Sequence, residues 1–189
     1  MPLARTGYVD ESMRVRAGVY VLAAVIVADT DAELYRETLR ALLYRGQLRL
    51  HWRDESSRRR GQLIEAVGGL RHTGAVVIAT GMTPRRQERA RRKCIERLLA
   101  ELSGRGIGSV VFERRHPGLD TRDQALIGAL RRQQSLPAGF RAAWKAADGE
   151  PLLWLADIAA GAASLAETGE DTYWTGLAAA FSADRFTLT

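Results

Sequence analysis

Short apolar runs alternate along the chain with longer segments in which apolar positions recur at helical spacing. The apolar runs predict strands at residues 7–12, Val19–Ala28, 75–79, 109–112 and 140–147. The helical spacing, together with capping residues and first-turn prolines, predicts helices at residues 32–44, 54–67, 83–103, 121–132, 151–165 and 172–181. Residues 47–52 alternate polar and apolar positions, which predicts a short strand or an extended segment that leads to His51.

The order of these elements predicts one α/β domain over residues 1–189. Strands that alternate with helices are typical of a layered α/β architecture. The link at residues 13–18 is short and polar, so the first two strands are expected to be antiparallel and the sheet to be mixed. The sequence has no internal repeat and no low-complexity linker, and 189 residues are enough for one well-buried core.

Acidic residues lie at the carboxyl ends of two of the predicted strands, and a third acidic residue lies in an apolar helix. Asp10 follows Tyr8-Val9, Glu113 follows the apolar residues 110–112, and Asp157 lies in a helix that is apolar on nearly every side. A buried carboxylate costs free energy unless it is paired or binds a metal. Carboxylate oxygens favour Mg²⁺ or Mn²⁺, and a pair of such ions can activate water and stabilise the leaving oxygen of a phosphodiester. The pattern therefore indicates metal-dependent phosphodiester chemistry.

Each of these acids also has a purely structural interpretation. Asp10 could cap a turn, because Asp-Glu-Ser is typical of turns. Glu113 could pair with Arg114 or Arg115 on the surface, and Asp157 could pair with a buried arginine or accept hydrogen bonds from the backbone.

Two motifs give the chain a resemblance to a known family. Residues 8–12 (Tyr-Val-Asp-Glu-Ser), followed by the apolar strand Val19–Ala28, resemble the opening of the family called domain of unknown function 3800. Residues 155–161 (Leu-Ala-Asp-Ile-Ala-Ala-Gly) resemble its late helix, and Leu50-His51 is similar to its middle histidine-containing segment. The match covers nearly the whole chain in order, although each motif is short.

The resemblance implies a ribonuclease H-like fold, with a mixed five-stranded sheet flanked by helices, and a metal-dependent nuclease or a relative of one. It points to Asp10 as the ligand from the first strand, Asp157 as the ligand from the helix and Glu113 as the acid of a later strand. Glu11 is a fourth candidate. Mg²⁺ or Mn²⁺ is the expected cofactor. The alternative is a catalytically inactive ribonuclease H-like module that binds nucleic acid or a protein.

Other residues in and around these motifs carry separate expectations. Met13 stands where the family usually has glycine, and residues 148–150 (Asp-Gly-Glu) replace its commoner Asp-Ser-Lys-like approach to the helix. His51 could orient water or act as a general acid toward a phosphate, or it could be structural. Asp120 and Asp123 begin the next predicted helix, so they are expected to cap it.

The positive charge of the chain admits a nucleic-acid partner: RNA, DNA or a hybrid. The net charge is +6, and Lys93 and Lys145 are the only lysines, so arginine supplies nearly all of the positive charge. Arginine binds phosphate oxygens in a forked geometry, although a bias toward arginine also follows from genomic base composition. Two clusters supply the candidate contacts: Arg58, Arg59, Arg85, Arg89 and Arg92, with Arg60 completing the run at residues 58–60. The alternative for each is a solvated helix face.

Several classes of protein are not favoured by the sequence. The chain has no run of about 18 apolar residues and no secretion-signal pattern at its N-terminus, so neither a membrane span nor export is expected. Cys94 is the only cysteine, which suits a reducing, cytoplasmic setting. Glycine motifs for dinucleotides or phosphate loops and the Gly-x-Ser-x-Gly motif of hydrolases are absent. A protein partner or a homo-oligomer remains open.

Overall fold

A computed structural model describes residues 4–189 of the chain, in which strands and helices alternate. The strands are β1 (Arg5–Arg14), β2 (Val19–Ala28), β3 (Thr73–Thr80), β4 (Ser109–Glu113), β5 (Arg141–Lys145) and β6 (Phe181–Thr187). The α-helices are α1 (Ala32–Ala41), α2 (Ser57–Gly68), α3 (Gln87–Gly104), α4 (Pro117–Arg132), α5 (Leu152–Ala166) and α6 (Thr172–Thr175).

All six of these strands join one mixed sheet in the order β5-β4-β1-β2-β3-β6. Strand β2 is antiparallel to both β1 and β3, whereas β4 runs parallel to β1, β5 parallel to β4 and β6 parallel to β3. This confirms the predicted α/β fold class, in which antiparallel first strands are followed by parallel strands and helices flank the sheet. The sheet has one strand more than the five that the resemblance implied.

The predicted helix over residues 172–181 is wrong beyond its first turn. Helix α6 ends at Thr175, a 3-10 turn covers Ala178–Ala180, and β6 begins at Phe181. The cause is tertiary, because β6 pairs with the edge of β3 along its whole length. Gly74 on β3 permits that pairing, since a Cβ there would lie 2.1 Å from the ring of Phe181.

Several other predicted elements differ from the structure in extent, among them the segment at residues 47–52 and helix α4. Residues 47–51 form no strand; His51 has an extended backbone and leads into a 3-10 turn at Trp52–Asp54. Helix α4 begins at Pro117, before the predicted start at residue 121, and the Nδ1 atom of His116 accepts a hydrogen bond from its first turn. Propensity and periodicity leave such boundaries uncertain by a few residues.

The sheet separates two hydrophobic cores. On one face, α5 packs across β1 and β2, and every residue of Leu152–Leu165 is buried there. On the other face, α3 packs against β2 and β3. Because side chains alternate along a strand, Tyr8 of β1 belongs to the α5 core and Val9 belongs to the α3 core. The same alternation places successive charged side chains of β1 on opposite faces of the sheet.

Candidate metal centre

A cleft of about 270 Å³ lies beside β1, at the carboxyl end of β4 and against α5. Its lining includes all five residues for which sequence reasoning predicts chemistry: Asp10, Glu11, His51, Glu113 and Asp157. Six arginines also line it: Arg14, Arg53, Arg60, Arg91, Arg114 and Arg115. The cleft therefore combines acids with an excess of positive charge around them.

The strand register explains why two of the acids are neighbours. Tyr8 lies beside Val111 in the parallel β1–β4 pair, and one further step of alternation along each strand brings Asp10 beside Glu113. Tyr8 and Val111 both belong to the α5 core, so the side chains two residues further along point to the same face. Asp157 is carried on α5, which covers that face.

Burial and like charge make this group of carboxylates unfavourable as it stands. Asp10 is 9% exposed and Asp157 is 8% exposed. Burial raises the pKa of the Asp10 carboxyl well above its usual value, and the negative charges of Asp157 and Glu113 raise that pKa further. The closeness of the Glu113 carboxyl acts in the same direction, whereas the positive charge of Arg91 opposes it. A cation between these side chains would relieve the repulsion.

Each of the three carboxylates has one oxygen occupied by a protein donor. The backbone N–H of Glu11 donates to Asp10 Oδ1 at 2.7 Å. The backbone N–H of Trp52 donates to Asp157 Oδ2 at 2.7 Å, and Arg49 donates to Glu113 Oε1 at 3.0 Å. Within residues 4–189, the second oxygen of each carboxylate accepts no hydrogen bond from a nitrogen or hydroxyl group. One oxygen of each acid thus remains available to a ligand.

His51 contacts this group of carboxylates through Asp157. Its Nδ1 atom lies 3.2 Å from Asp157 Oδ2. The hydrogen bond to Asp157 is the main cause that raises the pKa of His51, and burial opposes it. The neighbouring Trp52 is 2% exposed and packs against Gly161 of α5, where a Cβ would lie 2.1 Å from the indole ring. A glycine on α5 therefore permits the loop with His51 to approach Asp157.

Glu11 lines the same cleft, but its carboxylate is held apart from the other acids because its side chain lies on the opposite face of β1. There its Oε2 atom forms an ion pair with Arg91 and accepts a hydrogen bond from the hydroxyl of Tyr20 at 2.5 Å. Arg91 also forms an ion pair with Asp123 at 2.8 Å. The carboxylate of Glu11 is thus occupied by protein donors, unlike the second oxygens of Asp10, Glu113 and Asp157.

The capping role expected for Asp123 is wrong, because this residue is 4% exposed and pairs with Arg91 and with Arg115 at 3.2 Å. Asp120 accepts a hydrogen bond from the backbone N–H of Arg115, just before α4. Sequence reasoning missed Arg91, although a signal was present: Arg91 lies on the same helical face as Cys94, Ile95 and Leu98 of α3, which are buried.

The five arginines predicted to bind nucleic acid do not line this cleft. Arg58, Arg85 and Arg89 are exposed, and Arg92 pairs with Glu96 at 3.1 Å. Arg59 is occupied within the protein, since it donates to the carbonyl of Leu42, lies over the ring of Tyr44 at 4.3 Å and is 4.0 Å from Glu55. Arg14 and Arg53, which do line the cleft, were not among the predicted residues, whereas Arg60 belongs to the predicted run at residues 58–60.

The donor set of the cleft fits a hard divalent cation in its chemistry. Three carboxylates each offer an oxygen without a protein partner, and such oxygens suit Mg²⁺ or Mn²⁺. In the part of the chain that the structure describes, no three His, Cys, Asp or Glu side chains are already grouped closely enough to enclose an ion. For three carboxylates to enclose an ion, Glu113 would have to exchange its ion pair with Arg49 for a contact with the metal.

Comparison with known proteins adds no relative, since no protein-family model and no curated protein matches the chain. The resemblance to the domain of unknown function 3800 therefore stays a prediction that rests on its motifs. Among residues 4–189, no helix has the length and apolar character needed to cross a membrane.

Proposed function

We propose that the protein is a ribonuclease H-like nuclease that hydrolyses phosphodiester bonds of nucleic acid with the help of Mg²⁺ or Mn²⁺. The observation that supports this most strongly is the arrangement of Asp10, Glu113 and Asp157. They face one cleft, they repel one another, and each has one oxygen without a protein donor. Such an arrangement is favourable only when a cation or a proton compensates the charge.

In this proposal, Asp10, Glu113 and Asp157 hold the metal, and the backbone N–H groups of Glu11 and Trp52 fix the orientation of two of these carboxylates. The bound ion supplies Lewis-acid stabilisation of phosphoryl oxygens and lowers the pKa of a water molecule. Asp157 orients the imidazole of His51 through Nδ1, which leaves Nε2 to exchange a proton with the substrate or with water. A cytoplasmic location belongs to the same proposal, because a single cysteine suits a reducing compartment.

The second candidate is a catalytically inactive module that binds nucleic acid or a protein. The ion pair between Arg49 and Glu113 favours this candidate, since it gives one of the three acids a cationic partner from the protein itself. Asp10 and Asp157 have no such arginine partner within residues 4–189. Catalytic turnover distinguishes the two candidates, because an inactive module binds without cleaving in any metal.

Cleavage of labelled oligonucleotides tests the proposal directly. With Mn²⁺ or Mg²⁺ present, we expect single-stranded, duplex or hybrid substrates to be cut, and Asp10→Asn or Asp157→Asn to reduce the rate by about a hundredfold or more. Asp184→Asn is the matched control, because Asp184 is exposed on β6 and forms only a surface pair with Arg97. Thermal melting of each variant verifies that it is folded. Cleavage that persists in both cleft variants, or in EDTA, would exclude this site.

A further inference from the structure

Three arginines line the cleft beyond the carboxylates and lie close to one another. They are Arg14 at the end of β1, Arg53 in the turn after His51, and Arg60 on α2. Burial lowers the pKa of Arg14, and the positive charges of Arg60 and Arg53 lower it further, against the opposite effect of Glu170. Three guanidinium groups that repel one another on the wall of one cleft favour an anion between them.

The contacts that position these arginines are with neutral groups. Arg14 Nε donates to Ser164 Oγ at 3.2 Å. Arg60 donates to the backbone carbonyls of Trp52 at 3.1 Å and Arg53 at 3.2 Å, and its guanidinium lies 5.1 Å from the centre of the Trp52 ring. These hydrogen bonds hold the Arg14 and Arg60 side chains in place, and neither side chain has a carboxylate at ion-pair distance within residues 4–189.

Carboxylates in the cleft pair with other arginines instead. Glu113 pairs with Arg49, Glu11 pairs with Arg91, and Arg115 pairs with acids of α3 and α4. Within residues 4–189, no carboxylate lies at ion-pair distance from Arg14, Arg53 or Arg60. Their charge is therefore available to an anionic ligand.

The cluster of Arg14, Arg53 and Arg60 and the group of carboxylates lie at two different positions along the contact between β1 and α5. Arg14 is four residues beyond Asp10 on the same face of β1, a separation of about 13 Å between Cα atoms in a strand. Ser164, which holds the Arg14 guanidinium, is seven residues beyond Asp157 on α5, or about 10 Å along a helix. One phosphate group is too small to occupy both positions at once.

We propose that Arg14, Arg53 and Arg60 form a phosphate subsite for the backbone of a nucleic-acid strand, next to the phosphodiester that lies at the carboxylates. The inference rests on the proposed function and narrows its substrate to an oligonucleotide with at least two phosphates, as opposed to a mononucleotide. Guanidinium groups bind phosphate oxygens in a bidentate manner, and a contact of this kind makes affinity depend steeply on salt.

Binding without metal tests the subsite separately from catalysis. Fluorescence anisotropy in EDTA measures the affinity of the full chain for a short labelled single-stranded oligonucleotide over a range of salt concentrations. We expect Arg53→Gln and Arg14→Gln each to weaken binding by about tenfold and to reduce the salt-dependence slope by about 0.7. Arg53 is exposed and its side chain donates no hydrogen bond to residues 4–189, so its replacement leaves the fold intact.

Arg122→Gln is the matched control, because Arg122 is an exposed arginine of α4 outside the cleft and its loss changes the net charge equally. We expect this control to bind within about twofold of the parent protein, because a distant exposed charge is largely screened. A second measurement compares a dinucleoside monophosphate with the same compound carrying a terminal phosphate. The parent protein should prefer the compound with two phosphates, and Arg53→Gln should lose that preference.

The outcomes separate this inference from the proposed function. If Arg14→Gln and Arg53→Gln bind as the Arg122→Gln control does, the subsite is wrong, even where metal-dependent cleavage is observed. If Arg14→Gln and Arg53→Gln lose affinity and salt dependence but no metal supports cleavage, the subsite stands and the nuclease proposal fails.

Discussion

At the scale of single residues, Asp10 is in electrostatic conflict with its neighbours. It is buried, it lies beside Asp157 and Glu113, and both acids raise its pKa. A carboxyl whose pKa is higher in the folded state binds more protons there than in the unfolded chain. Its contribution to stability is therefore present at low pH and is lost as the pH rises through the range between the unfolded and the folded pKa.

Replacement of Asp10 by asparagine should therefore stabilise the protein in the absence of metal. We expect Asp10→Asn to raise the free energy of unfolding at neutral pH by on the order of 1 kcal/mol, or about 2–4 °C in Tm. In EDTA, the free energy of unfolding of the parent protein relative to that of the variant should fall as the pH rises above about 4. Thermal melts across that pH range make the comparison.

Added metal should reverse the order of the two Tm values. A cation between the carboxylates relieves the repulsion in the parent protein, whereas Asp10→Asn has already relieved it by substitution. Mn²⁺ should raise the Tm of the parent protein and have little effect on Asp10→Asn. Asp184→Asn, which alters an exposed surface acid, should respond to Mn²⁺ as the parent does. A parent protein whose Tm is unaffected by Mn²⁺ would contradict the metal centre without any assay of cleavage.

At the scale of elements, the site depends on how closely α5 and the loop before α2 approach. Gly161 of α5 lies against the ring of Trp52, and the backbone N–H of Trp52 donates to Asp157. The adjacent His51 contacts the same carboxylate. Packing at one glycine of α5 therefore controls the position of two groups in the cleft.

Gly161→Ala should destabilise the protein, because the new Cβ would lie 2.1 Å from the indole ring and the loop would have to move. We expect a loss of about 1–3 kcal/mol, measured by urea denaturation, and a weaker Mn²⁺-induced shift in Tm than in the parent. Gly61→Ala on α2 is the matched control. Nothing lies within 4 Å of a Cβ at Gly61, so this change should stabilise the helix by about 0.5–1 kcal/mol. Equal effects of the two substitutions would show that packing at Trp52 is unimportant.

At the scale of the whole molecule, β6 covers an edge of the sheet that would otherwise be open. Strand β3 contributes to both cores and pairs with β6 from Gly74 to Thr80. Without β6, the backbone groups along this edge of β3 would lose their partners, and an apolar open edge promotes association between chains.

Truncation after Ala180 tests the contribution of this strand. We expect the shortened chain to have a Tm lower by at least about 5 °C and to associate at concentrations where the full chain remains monodisperse, as light scattering would measure. Asp184→Asn keeps the strand and changes one of its exposed side chains, so it should melt and scatter like the parent. A truncated chain with an unchanged Tm would mean that β6 adds nothing to the stability of the sheet.

The sequence by itself determined the elements whose pattern is strong and local. Strand β2 is buried along nearly its whole length and was predicted with its observed bounds, because a continuous β-branched run has few other solutions. The apolar residues that precede Asp10 in β1 and Glu113 in β4, and an apolar α5 that contains Asp157, were likewise visible in the sequence, although β1 continues past the predicted strand end to Arg14. These features were sufficient to predict the fold class and the acids of the cleft.

Tertiary structure decided what depends on contacts between distant residues. Strand β6 exists because β3 offers it an edge, which no local pattern encodes. Asp10 and Glu11 are adjacent in sequence but lie on opposite faces of β1, so only the packing of helices on those faces sends one to Asp157 and the other to Arg91. Residue types and spacing determine which groups can form a site, whereas strand register and helix packing determine which of them meet.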